Sequence, residues 1–201
     1  MNAALPRMYW RVNQSLESGF NTVSLLLPTS REGEAQEFPV ELFFKHTSPA
    51  AQLSRQQDLV WSEQDNQLFS GLLTQICDAE QGTIEVNLND EVIQEFIHLV
   101  ATARFQTPLP AEHLEGKDIN TPRFELNLGD IVSLNTCYGF VSAVIIDLDS
   151  IDATCILLDE IENAQQELVA EMYSSVVMSR MSVVHEAFSE TEEAGAYETV
   201  H

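Results

Sequence analysis

Three stretches decide the fold: Phe124–Asn135 (FELNLGDIVSLN), Tyr138–Asp149 (YGFVSAVIIDLD) and Ala153–Ile161 (ATCILLDEI). Each is short, rich in β-branched and aliphatic residues, and bounded by Gly, Asn, Ser or Asp, the composition of strands separated by turns. With turns at Asn135–Tyr138 and Ser150–Asp152, they predict a β-meander. Gly129 and Gly139, near strand starts or bends, suit a curved sheet or a small barrel, where glycine permits a bulge or tight bend.

Upstream, MYWRVNQSL, FNTVSLLLP and FPVELFF carry the same strand signal. The short ESG connection between the first two suits a hairpin, and TSREGEAQE reads as an exposed polar loop. An N-terminal antiparallel sheet is expected. After Pro49 the period changes. Ser62 and Asp65 form a capping-box pattern, and Leu68, Phe69, Leu72, Leu73 and Ile76 fall on one helical face. GTIEVNL alternates like a strand. Asn89 then precedes a second helical stripe of Val92, Ile93, Phe96, Ile97, Val100 and Ala103, with His98 off it.

The fold class is therefore α+β: an N-terminal antiparallel sheet with two helices, then a C-terminal β-meander or small barrel-like module with a possible terminal helix. The expected organisation is an N-terminal α+β module over 1–108, a linker or long loop over 109–123, and a β-rich module over 124–188. An acidic disordered tail over 189–201 would complete it, since SETEEAGAYETVH holds little apolar content. Residues 164–188 admit two assignments. Asn163 and Gln166 suit a helix start before Leu168, Val169, Met172, Tyr173, Val176 and Val177, whereas YSSVVMSRMSVV equally suits strands; the helix is taken first.

The 201 residues carry 32 acidic and nine basic side chains, a net charge of −23. The imbalance is uneven: residues 1–57 are neutral, whereas residues 124–201 hold fifteen acids and one base, Arg180. Such a surface repels phosphates and anionic membranes, which argues against direct nucleic acid binding and against membrane binding. A basic protein partner would be attracted instead. With 44% hydrophobic residues the chain is apolar enough to fold. No secretory signal pattern and no apolar run of about 20 residues is visible, and Cys77, Cys137 and Cys155 form no CxxC pair, so a reducing cytoplasm is expected.

Motifs for chemistry are sparse. No GxGxxG, P-loop, GxSxG or HExxH pattern occurs, and no cofactor is implied. Val144–Asp149 (VIIDLD) looks like the nucleophile strand of haloacid dehalogenase-type phosphatases. That family also requires a downstream lysine, and none follows Lys117. Asp147, Asp149 and Asp152 have the oxygen chemistry for a hard cation, but Asp152 and Leu158 stand where an EF-hand loop needs Gly and Glu, so no metal site is assigned.

The expected function is a non-enzymatic acidic interaction module, an adaptor, regulatory or inhibitor subunit. Asp147, Asp149, Asp152, Asp159, Glu160 and Glu162 are its candidate partner-binding residues. Two alternatives stand beside it. One is a nucleic-acid mimic, because residues two apart on a strand, such as Asp147 and Asp149, lie roughly 6.5–7 Å apart, a spacing like that of neighbouring phosphates. The other is an enzyme that uses clustered carboxylates with a metal.

Overall fold

Strand patterning at both ends of the chain and two helical stripes between them produce a mixed α+β architecture. The computed structural model describes residues 8–14, 20–29, 34–44, 56–76, 86–116 and 125–185. They divide into two compact units, one of residues 1–69 with 83–106 and one of residues 70–82 with 107–201.

The first unit holds strands β1 (Tyr9–Gln14), β2 (Asn21–Pro28), β3 (Ala35–Phe44) and β4 (Gln56–Val60) in one antiparallel sheet of order β3-β2-β1-β4. Trp10 opposes Leu25 and Val12 opposes Val23, so these side chains share one face. Trp10, Val23 and Leu25 are buried there. The opposite face carries Arg11, which bonds Asp58 on the adjacent β4 at 2.9 Å and reaches past β2 to Glu37 on β3 at 3.1 Å. The hydrogen bonds from Arg11 hold the Asp58 carboxyl below the usual carboxylate range, although partial burial opposes the shift. β4 (QQDLV) was not anticipated: so short a polar-rich segment carries little strand signal. β3 also starts earlier than expected, at Ala35 inside the polar loop.

Helix α1 (Glu63–Ile76) opens on the predicted capping box. The Ser62 amide donates to Asp65 Oδ2 at 2.7 Å, and the Asp65 amide donates to Ser62 Oγ at 3.1 Å. This satisfies donors that a helix start leaves free. Helix α2 (Glu91–Phe105) is capped by Asp90, whose side chain accepts the Val92 amide at 2.9 Å, one residue beyond the expected Asn89. Its buried stripe is Ile93, Phe96, Ile97, Leu99, Val100, Ala101 and Thr102, while Val92 is exposed. Of the expected strand GTIEVNL, residues 86–88 form no strand and the rest lies outside the described residues. An aromatic cluster completes this core: Trp10 stacks on Trp61 at 4.9 Å and meets Phe105 edge-on at 5.8 Å, and Phe105 stacks on Phe44 at 5.1 Å.

The second unit contains β5 (Leu109–Pro110), β6 (Ile131–Thr136), β7 (Gly139–Leu148), β8 (Asp152–Leu157), β9 (Ile161–Glu162), β10 (Leu168–Ala170), β11 (Ser175–Ser179) and β12 (Val183–His185). Six of these form a sheet of order β12-β6-β7-β8-β11-β5, and β9 pairs with β10. The β6-β7-β8 meander is the predicted one, with a bulge between Ile145 and Asp147. Val132, Leu134, Val141, Ala143, Ile145, Ala153, Cys155, Leu157, Val176 and Met178 build its core.

Of the two forms expected, a meander or a small barrel-like module, the meander is present and no closed barrel forms. Instead a strap runs from β5 through a short 3-10 turn (Glu112–Leu114) to Gly116. The Ala111 amide donates to Val177 O at 3.0 Å, the Glu115 carboxylate accepts the Ser179 amide at 2.6 Å, and the Gly116 amide donates to Asn135 O at 2.9 Å. Residues 109–116, expected in a loop, thus supply a strand and cover the edge of β11. The terminal helix is also corrected: residues 164–185 hold strands and a 3-10 turn (Arg180–Ser182) but no α-helix. Gln166 and Tyr173 take positive φ values of 61° and 64°, which no α-helix accommodates, and the β-branched run Val176–Val177 pairs with β8. The ESG turn and the tail over 189–201 lie outside the described residues.

Candidate functional site

The β7–β8 turn is built by Asp149. Its Oδ1 accepts the amides of Ile151 and Asp152, both at 2.7 Å, and its own amide donates to Asp152 O at 3.0 Å. An aspartate that accepts amides two and three residues ahead is a turn-forming device, so this carboxylate faces its own backbone. Those amides from Asp152 and Ile151, with Arg180 adding its charge, hold the Asp149 carboxyl below the usual range. Arg180 anchors the turn from β11's side: its Nη1 donates to Asp149 O at 2.7 Å and its amide donates to Ile151 O at 2.9 Å. Asp147, on the exposed side of β7, accepts the Leu148 amide at 2.9 Å.

Asp159 and Glu160 lie at the opposite end of β8, in the turn before β9, and Glu162 sits on β9 opposite Leu168. All three are exposed. The Leu158 amide donates to Ser142 O at 2.8 Å and extends the β7–β8 pairing toward the β6–β7 hairpin. Asp159 and Glu160 therefore stand at the same end of β7 as exposed Tyr138 and Phe140. β8 at about 3.3 Å per residue puts roughly 20 Å between the two carboxylate groups. The six candidate acids fall into two separate groups, not one.

Each group lies beside apolar surface. Ile151, at the tip of the β7–β8 turn, is 70% exposed, and Met181, one residue past Arg180, is 57% exposed. Sequence reasoning missed both because an isolated Ile in a turn and a Met in an ambiguous segment carry no motif. The available signal was Ile151 itself, an aliphatic residue between Ser150 and Asp152 where turn composition favours polar side chains.

Other groups offer little chemistry. Among the described residues no three His, Cys, Asp or Glu side chains come together as a metal site. Burial pushes the Cys155 thiol up to about 12, which keeps it protonated, while Cys137 is exposed. Cys77 lies outside the described residues. In the first unit an open groove of about 520 Å³ is lined by Leu27, Gln36, Phe38 and Val86–Asn89, with no titratable side chain. No helix among the described residues is long and apolar enough to cross a membrane. No protein-family model matches the chain, and no curated protein matches it.

Proposed function

We propose that this chain is a non-enzymatic acidic interaction module, an adaptor, regulatory or inhibitory subunit that binds a basic protein partner in the cytoplasm. The observation that carries this reading is the pairing of exposed Ile151 and Met181 with the carboxylates of Asp147, Asp149 and Asp152 around one ordered turn. Protein interfaces place a few apolar anchors at their centre and charge at their rim. The net charge of −23 supplies long-range attraction toward a cationic surface.

The test compares the tagged full chain with its Ile151→Ser and Met181→Ser variants as baits in native host lysate, at low and high salt, with and without DNA. A stoichiometric partner that survives salt and DNA, and binds the variants about tenfold more weakly, supports the reading; burying one such side chain contributes roughly 1.5–3 kcal/mol. A partner stripped equally by salt and DNA, and indifferent to both variants, points to nucleic-acid mimicry instead. No partner that distinguishes the wild type from the variants sinks the proposal.

A further inference from the structure

The Glu115 carboxylate serves a segment far from its own. Its Oε1 accepts the Ser179 amide at 2.6 Å, across 64 residues of sequence. β5 pairs with β11 only at Val176 and Val177, so Ser179 lies beyond it on that edge, and Glu115 stands in for the missing strand neighbour.

The strap fixes this carboxylate from both sides. Before it, Ala111 and Leu114 are buried in the core of the second unit, and Leu114 O accepts the Cys137 amide at 2.8 Å. After it, the Gly116 amide donates to Asn135 O at 2.9 Å, and a Cβ on Gly116 would meet the Asn135 side chain at 2.5 Å. Glu115 itself is half-buried, and its backbone bridges Thr136. A carboxylate held in this way accepts an amide without reordering, and such charge-assisted bonds are stronger than neutral ones.

From Ser179 the bonds run on to the exposed apolar pair. Ser179 Oγ accepts the Met181 amide at 3.3 Å and caps the 3-10 turn Arg180–Ser182. Ser179 opposes Asp152 in the register, and the next residue, Arg180, reaches the β7–β8 turn twice, at Ile151 O and at Asp149 O. Asp149 thus holds the Ile151 half of this surface from within its own turn. Glu115 holds the Met181 half from the strap.

We propose that Glu115 is a positioning residue for the Ile151–Met181 surface: through Ser179 it sets where Met181 stands, so closure of the strap over β11 sets how tightly a partner docks there. This rests on the interaction reading above and names a control of that same site. Docking and strap closure are linked in both directions, so an event that lifts residues 109–116 weakens docking. A carboxylate that only held the fold together would, once removed, loosen the whole sheet. A positioning carboxylate loosens residues 179–181 first.

The experiment follows amide exchange by NMR in the full chain and three variants. Glu115→Ala is expected to speed exchange at Ser179, Arg180 and Met181 by about tenfold or more. The Ile145 and Leu158 amides, bonded to Asp130 O and Ser142 O in the same unit, change by less than about threefold. Glu115→Gln keeps an acceptor oxygen in that place and stays within about threefold of the wild type at all five amides. Ser179→Ala breaks the relay one step later: Met181 exchanges about threefold faster or more, while the Ser179 amide, still held by Glu115, does not.

Unchanged exchange at Arg180 and Met181 in Glu115→Ala overturns the proposal, since only Ser179 then feels the loss. Equal acceleration at all five amides, or loss of the fold, overturns it as well and makes Glu115 a general fold contact. Failure of Glu115→Gln to keep exchange slow removes the acceptor role, and an unaltered Met181 in Ser179→Ala removes the relay. As bait in the lysate, Glu115→Ala is expected to hold the partner about fivefold less tightly than Glu115→Gln. Equal retention by these two overturns the control of docking. If no partner distinguishes Ile151→Ser and Met181→Ser from the wild type, the interaction reading fails by itself, and the exchange data still decide whether Glu115 positions Met181.

Discussion

The indole Nε1 of Trp10 donates to Oδ2 of Asp65 at 3.2 Å, and the same oxygen accepts the Ser62 amide at 2.7 Å. One buried carboxylate oxygen thus joins the central strand β1 to the start of α1, across 55 residues of sequence. Asp65 is only 4% exposed and Trp10 is fully buried, so the indole N–H lacks access to water as a substitute. Asp65→Ala is expected to destabilise the chain by roughly 2–4 kcal/mol, from a lost helix cap and a buried indole N–H without an acceptor. Asp65→Asn keeps an oxygen in that place and loses mainly the favourable charge at the helix start, which is worth about 0.3–1 kcal/mol. Urea unfolding followed by tryptophan fluorescence measures both. Equal effects from the two variants would show that charge, not the shared acceptor, holds this contact.

Gly71 on α1 and Gly129 in the turn before β6 approach each other backbone to backbone. A Cβ on Gly71 would collide with the Leu128 carbonyl oxygen, and one on Gly129 would lie 2.7 Å from the Gly71 carbonyl carbon. Gly129 also has φ of +86°. In an exposed helix Gly→Ala stabilises by about 1 kcal/mol. Here Gly71→Ala is expected to do the reverse and destabilise by roughly 1–3 kcal/mol, because backbone must move to admit the methyl group. Gly139→Ala serves as the comparison: its φ is +120°, but nothing lies within 4 Å of an added Cβ, so only backbone strain applies. Thermal unfolding that rises for Gly71→Ala would refute the close approach.

What could be foreseen follows how local each signal is. The Ser62–Asp65 box spans four residues and was legible, as was the β6-β7-β8 meander, whose turns and β-branched runs lie next to one another. The Trp10–Asp65 bond and the Gly71–Gly129 approach join distant segments, so no window of sequence contains them. Residues 164–185 misled because Leu168, Val169, Met172, Tyr173, Val176 and Val177 fit a helical stripe, while nothing marks Gln166 or Tyr173 as left-handed. The six acids were legible as a charge excess but not as two groups, because their separation is set by the length and direction of β8. Asp149 is a nearer miss: an Asp followed by Ser-Ile-Asp between strands is a local turn signal, and its carboxylate serves that turn.

His98 supplies a pH dependence that a surface histidine lacks. Burial pushes its imidazole below the usual value, against the opposing pull of Glu95 on its own helix and Glu41 on β3. The folded state thus favours neutral His98, whereas the unfolded chain takes up a proton near pH 6.5. Between those two values the unfolded state binds more protons, so the contribution of His98 to stability is present above about pH 6.5 and declines as pH falls toward the lowered folded value. Protonation of carboxylates on a chain of net charge −23 relieves self-repulsion and works the other way, so absolute stability against pH mixes the two. The difference between wild type and His98→Gln isolates the imidazole. Urea unfolding from pH 7.5 to pH 5.5 should show the wild type losing stability relative to the variant as pH falls. A ring-proton titration by NMR should place His98 below the usual imidazole value. If the difference between the two proteins is flat over that range, the imidazole titrates alike in both states and burial does not control it.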